Sequence, residues 1–295
     1  MSRNVTVGLD GSPESTAAAE WAAREAALLE VPLRLVHAGD LPPHDYVPFA
    51  GEAVPPPGAD RAAHLLRDMA ASLAHRHPGL RVTSERLPGH AAAALTEAAQ
   101  EAEVLVLGSR GLGRAAGYLL GSVASAVVAR AGRPVVLVRA DAGEADEHRP
   151  DALGTTSGAT PYRDVVLGLA LDERPADAVL EFAFAAAARR SAALRIVYGL
   201  QPGGKAGNPD RPAVREEEAM AGALRPWRDK FPGVEVIEEA VIGTAGSHLV
   251  DASHDASLVV VGRTNRAVPV GPHVGPVAHQ VLHGAAAPVA VVPHD

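Results

Sequence analysis

Gly108-Ser109-Arg110-Gly111, followed after a gap by Gly121-Ser122, is the segment of this chain best suited to holding a ligand. Written as a pattern it is Gly-x2-Gly-x9-Gly-Ser. It directly follows the apolar run Val104-Leu105-Val106-Leu107 and directly precedes a helical pattern beginning at Val123. A strand, a glycine-studded loop and a helix N-terminus in that order form the phosphate site of open α/β sheets. Glycines let backbone N–H groups approach an anion with no side chain in the way. The expected ligand class is a nucleotide. Phosphoryl transfer also needs positioned cations and a group that orients the attacking atom. Residues 1–161 contain no lysine, and the loop is not Gly-x4-Gly-Lys-Ser, so a P-loop lysine is excluded in the first half. No carboxylate or histidine adjoins the loop in sequence. These residues favour a binding module or switch, with slow nucleotide hydrolysis as the most chemistry they allow. His37 ends a strand close to the expected ligand and reads as a packed, hydrogen-bonded histidine. His279 and His283, four apart on a helical pattern, share a face. No third metal ligand is evident, and a pair alone rarely closes a coordination shell.

The elements that must carry this loop are legible as an alternation of short apolar runs with alanine-rich helical patterns. Val5-Leu9 is a strand that ends in Asp10-Gly11, with Ser12 as N-cap and Pro13 where a first helical turn tolerates proline. A helix runs to about Glu30, and Leu33-His37 is the second strand. Residues 39–59 form a Pro/Gly-rich loop. Arg61-His77 is helical, Arg81-Leu87 a strand, His90-Glu101 a helix, Val104-Leu107 a buried strand, Val123-Ala131 a helix and Pro134-Val138 a final strand. Such βα alternation specifies a mainly parallel sheet with helices on both faces.

Length and composition agree. The chain has 295 residues, enough for roughly two domains. It is 47% hydrophobic with a mean hydropathy of +0.05, as expected of a globular protein. Its net charge of −8 argues against a general nucleic-acid or anionic-membrane binder. There are no cysteines, which excludes disulfides and thiol chemistry. No signal peptide and no apolar span of about 18 residues appears, so the cytoplasm is the expected compartment.

Residues 140–161 lack periodicity and are rich in turn formers, and beyond them the pattern restarts. Glu20-Trp21-Ala22 matches Glu181-Phe182-Ala183, and Leu33-Arg34-Leu35-Val36-His37-Ala38 matches Leu194-Arg195-Ile196-Val197-Tyr198-Gly199 at the same offset. Pro78-Gly79-Leu80-Arg81-Val82, Val104-Leu105-Val106-Leu107-Gly108 and Pro134-Val135-Val136-Leu137-Val138 are echoed by segments starting at Pro232, Leu258 and Pro288. Matches in the same order mark an internal duplication. The expected division is a first domain over 1–140, a linker over 141–161 and a second domain over 162–295.

The opening Val7-Gly8-Leu9-Asp10-Gly11-Ser12, the strand end Leu35-Val36-His37-Ala38 and the long glycine loop together resemble the universal stress protein family in its tandem form, over essentially the whole chain. The resemblance implies two five-stranded, Rossmann-like sheets of order 3-2-1-4-5, of the adenine-nucleotide alpha-hydrolase type. It also implies ATP binding, a role in stress tolerance or growth arrest, and dimerisation, commonly through the last strand. Carried onto this chain, it has Asp10 accepting hydrogen bonds from ribose hydroxyls. Gly8 and Ala38 line the nucleoside pocket, with Ala38 meeting adenine through its backbone. Gly108, Gly111, Gly121 and Ser122 cradle the phosphates, with Ser109, Gly113 and Val123 completing the implied set. Arg110 and Arg114 supply counter-charge, since arginine grips phosphate oxygens bidentately. Mg2+ is expected with ATP, because the phosphates carry more charge than two arginines offset.

The second repeat departs from this pattern. The counterpart of Asp10 is Ala170, or Leu171 with a one-residue insertion, and Asp172 lies further on. Gly262 and Gly275 are kept, but Gly111 becomes Asn265 and Ser122 becomes Pro276. Proline has no N–H to donate. One competent nucleotide site is expected, in the first domain. Two other readings stand beside it. A dinucleotide oxidoreductase needs Gly-x-Gly-x-x-Gly right after the first strand, and Gly8-Leu9-Asp10-Gly11-Ser12 breaks that spacing. A nucleotide-free scaffold would act through surfaces. The apolar edge candidates Val135-Leu137 and Val289-Val291 would be covered by pairing between the repeats or between chains, as an intramolecular pseudo-dimer or a homodimer.

Overall fold

The computed structural model describes residues 4–39, 59–109, 120–169, 177–200, 211–242, 245–265 and 274–294. The chain divides into two units, Met1–Asp141 and Ala142–Asp295. In the first, β1 (Val5–Gly8), α1 (Pro13–Leu28), β2 (Leu33–Ala38), α2 (Ala59–Arg76), β3 (Val82–Leu87), α3 (Ala91–Glu101), β4 (Val104–Ser109), α4 (Ser122–Arg130) and β5 (Val135–Arg139) follow in order. The strands lie in the order β3-β2-β1-β4-β5, all parallel. The second unit repeats this with β6 (Asp164–Leu169), α5 (Asp177–Arg190), β7 (Leu194–Leu200), α6 (Arg211–Lys230), β8 (Val236–Ile242), α7 (Ala245–Ala252), β9 (Ala256–Thr264), α8 (Pro276–Gly284) and β10 (Val289–His294). Its order is β8-β7-β6-β9-β10, again parallel. Both units therefore have the 3-2-1-4-5 arrangement and the duplicated α/β architecture expected from the sequence.

The central strands read as unbroken apolar runs because both faces of a parallel sheet are covered by helices. Val5, Val7, Leu33, Leu35, Leu105, Val106 and Val136 are all fully buried. The helices start and stop for local reasons. The Ser12 side chain accepts from Ser15 N–H at 3.1 Å at the start of α1, and Pro13 supplies a preset φ in the first turn. At the other end Glu30 takes a left-handed φ of 54°, and Val31 N–H donates back to Ala26 C=O at 3.0 Å. Ser191 does the same after α5, with φ 48° and Ala192 N–H on Ala187 C=O at 3.1 Å. A Schellman-type closure built on a non-glycine residue is uncommon. Finding it at the same point of both repeats extends the duplication to backbone conformation.

The segment read as a linker is tied into the second unit. It holds a single 3-10 turn at Glu144–Glu147 and an antiparallel bridge between His148 and Tyr162. Arg149 N–H donates to Pro161 C=O, and Arg163 N–H to Glu147 C=O, both at 2.8 Å. Asp151 accepts from the N–H groups of Leu153 and Thr155 at 2.8 Å. The Asp, Ser and Thr residues that abolish helical and strand periodicity are the ones whose side chains organise such turns. The carboxylate of Asp164, only 3% exposed, joins this segment to the sheet by pairing with Arg149 and Arg195 at 2.5 and 3.1 Å. Among the described residues no helix is long and apolar enough to cross a membrane.

Two glycines in the first sheet fix how closely helices approach it. A Cβ on Gly108 would lie 2.6 Å from the backbone carbon of Glu14 and 2.8 Å from Ser15 N. A Cβ on Gly8 would meet the tips of Leu107 and Leu95, at 2.6 and 3.2 Å. Backbone cannot yield as a leucine rotamer can. Gly108→Ala is therefore expected to lower stability by about 1–3 kcal/mol, and Gly8→Ala by less. Urea unfolding of both variants checks this, and equal losses would contradict the packing account.

Candidate functional site

The carboxyl ends of β1 and β4 lie side by side, and the chain leaves them in opposite directions, to β2 and to β5. This is the topological switch point at which open α/β sheets bind ligands. Here an open cleft of about 170 Å³ is lined by Gly8, Asp10, Ala38, Gly108, Gly121, Ser122 and Val123, all expected from the sequence. Ser109 is buried at the end of β4, paired in register with Arg139, and is not part of the described wall. Arg110, Gly111, Gly113 and Arg114 lie outside the described residues.

The near wall is held by a chain of short contacts. Leu9 N–H donates to Val36 C=O at 2.8 Å, continuing the β1–β2 ladder one residue past the strand. His37 places Nδ1 at 2.7 Å from Leu9 C=O. A carbonyl only accepts, so Nδ1 carries the proton, and His37 acts as a tie between strand ends. Asp10 then turns back on the chain. Its Oδ1 accepts from Ser12 N–H at 2.9 Å and from Ser12 Oγ at 2.5 Å. Gly11 between them has φ +83°, a conformation that favours glycine. Ser12 Oγ is thus donor to Asp10 and acceptor for α1. The turn-forming role of Asp10 is real, and it holds the exposed carboxylate at the cleft.

The far wall is the start of α4. Gly121 is its N-cap, with φ −59° and ψ 148° and no side-chain cap. The first intrahelical bond runs from Ser125 N–H to Gly121 C=O at 2.9 Å. The N–H groups of Ser122, Val123 and Ala124 precede that bond and open onto the cleft, together with the exposed Ser122 hydroxyl. N–H groups that no described residue engages, together with the helix dipole, favour an anion there. The first turn of α1 and Ala91 of α3 complete the wall. Sequence reasoning missed Glu14, Ser15, Ala91 and Leu95 as lining residues. Ser15 and Glu14 follow directly on the recognised N-cap, which was the available signal. Ala91 and Leu95 come from a helix after β3 and carry no mark of their position.

The same position of the second unit is built differently. Gly275 caps α8 with φ −56° and ψ 159°, close to Gly121, but Pro276 occupies the first turn. The first bond there runs from His279 N–H to Gly275 C=O at 2.8 Å, so only Val277 and Ala278 retain N–H groups ahead of it. Asn265, the counterpart of Gly111, donates its N–H to His294 C=O at 2.6 Å. The chain thus stays on the sheet at a point where a phosphate loop must leave it. The place beside Gly262 is taken by the His294 ring, whose Nε2 lies 2.9 Å from where a Cβ would stand. Ser109 is replaced by Arg263, buried, with desolvation holding its pKa below the usual guanidinium value.

The rings of His279 and His283 stack at 4.1 Å, and His283 Nδ1 donates to His279 C=O at 2.7 Å. One nitrogen of the pair is therefore spent on the helix backbone. Among the described residues no group of three or more His, Asp or Glu side chains could hold a metal. The first cleft offers carboxylate and hydroxyl oxygens, a hard donor set suited to Mg2+ when phosphate oxygens join it.

The model of the universal stress protein family matches residues 1–139 and again 161–293. The chain belongs to the universal stress protein family. It is 33% identical over 298 residues to universal stress protein Rv2005c of Mycobacterium tuberculosis, covering 97% of this chain and 96% of that one. It is 32% identical over 304 residues to universal stress protein Rv2623 of the same organism, covering 98% and 96%. The crystal structure of a universal stress protein from Archaeoglobus fulgidus superimposes over the full length of both chains with a TM-score of 0.70 at 16% identity, which shows the shared fold. In this universal stress protein the two repeats that the family model matches correspond to the two units of the structure.

Ser12 and Ser122 separate structural from ligand-facing roles. Ser12→Ala removes the cap of α1 and the anchor of Asp10, and is expected to cost about 1 kcal/mol in chemical unfolding. Ser122→Ala removes a hydroxyl that no described side chain or backbone group engages, and should leave the unfolding midpoint unchanged.

Proposed function

We propose that the first unit binds one adenine nucleotide, ATP with Mg2+, and that the protein works as a nucleotide-dependent switch in stress response, dormancy or growth regulation. The observation that carries this reading is the open N-terminus of α4 facing Asp10 across the switch point of the sheet. It puts N–H groups suited to an anion on one wall and a carboxylate able to accept from hydroxyls on the other, the two kinds of partner a nucleoside phosphate needs. Membership in a family known for stress tolerance supports the biological role. Asp10 and Ser122 are read as the ligand-facing side chains of the described wall, with Ser12 holding Asp10 in place. His37 is tied to Leu9 through Nδ1 and is not among the residues lining the described cleft, which is read as a binding site in which hydrolysis is slow at most. The second unit, short of one N–H donor and one hydroxyl at α8, is read as a degenerate site.

Equilibrium dialysis of the whole chain against ATP tests the reading and should give about one tight site per chain. Ser122→Pro copies the second repeat into the first. Proline is tolerated in a first helical turn, so the fold should hold while ATP affinity falls by about tenfold or more, the loss of an N–H donor to a charged group and a hydroxyl. Asp10→Ala should weaken binding similarly. Two equivalent sites, or unchanged affinity in both variants, would overturn the assignment.

A further inference from the structure

We draw no further inference here: the strongest candidate, the buried His148 ring in the segment after β5, is held by Thr160 C=O through Nδ1 and packs on Tyr162, and nothing among the described residues points to a ligand or partner for its Nε2.

Discussion

The seat of α1 on Gly108 is the contact on which the first cleft depends. A helix approaching within 2.6–2.8 Å of a virtual Cβ is possible only where the side chain is missing altogether. That approach brings the first turn of α1 to the end of β4. It sets Ser12, and through it Asp10, opposite the start of α4. The other fixed points reinforce the same arrangement: His37 ties β2 to the exit of β1, and Gly11 provides the reversed backbone that lets Asp10 fold back onto Ser12. Each contact is local and short, and together they hold the cleft.

Much of this arrangement is legible in the sequence. Strand and helix positions followed from apolar runs and capping residues, because in a parallel sheet each buried strand and each cap is specified by its own segment. Seven of the expected site residues come together for the same reason: each sits at a strand end or helix start, where chain direction alone places it. The sequence was silent where the outcome depends on contact between distant segments. Ser109 lies one residue along a strand from Gly108 and alternates to a buried face. Leu95 reaches the cleft only because α3 packs against Gly8. The segment after β5 looked like a tether because its polar residues satisfy no period, yet Asp151 organises its turns from within and Arg149 pairs it with Asp164 of β6.

The internal duplication supplies a control of the same fold. Gly262 and Gly275 are retained, which by spelling alone resembles a phosphate loop. Their surroundings differ. Gly262 accommodates an imidazole where Gly108 accommodates a helix, and Gly275 precedes a proline where Gly121 precedes a serine. A glycine in this fold answers to whatever packs on it, and its presence does not by itself certify a ligand.

Pro276 also changes how its helix is held. A ring that presets φ stabilises the start of α8 by reducing the freedom of the unfolded chain, and that contribution is the same in any surroundings. The start of α4 has no such ring, and no described residue completes its donors, which the proposed ligand would do. By mass action, such a ligand stabilises its host by an amount that grows with the logarithm of its concentration. On the proposed reading, the two halves of this chain would draw on different sources of stability, one written permanently into the sequence and one rising and falling with the cell's supply of nucleotide.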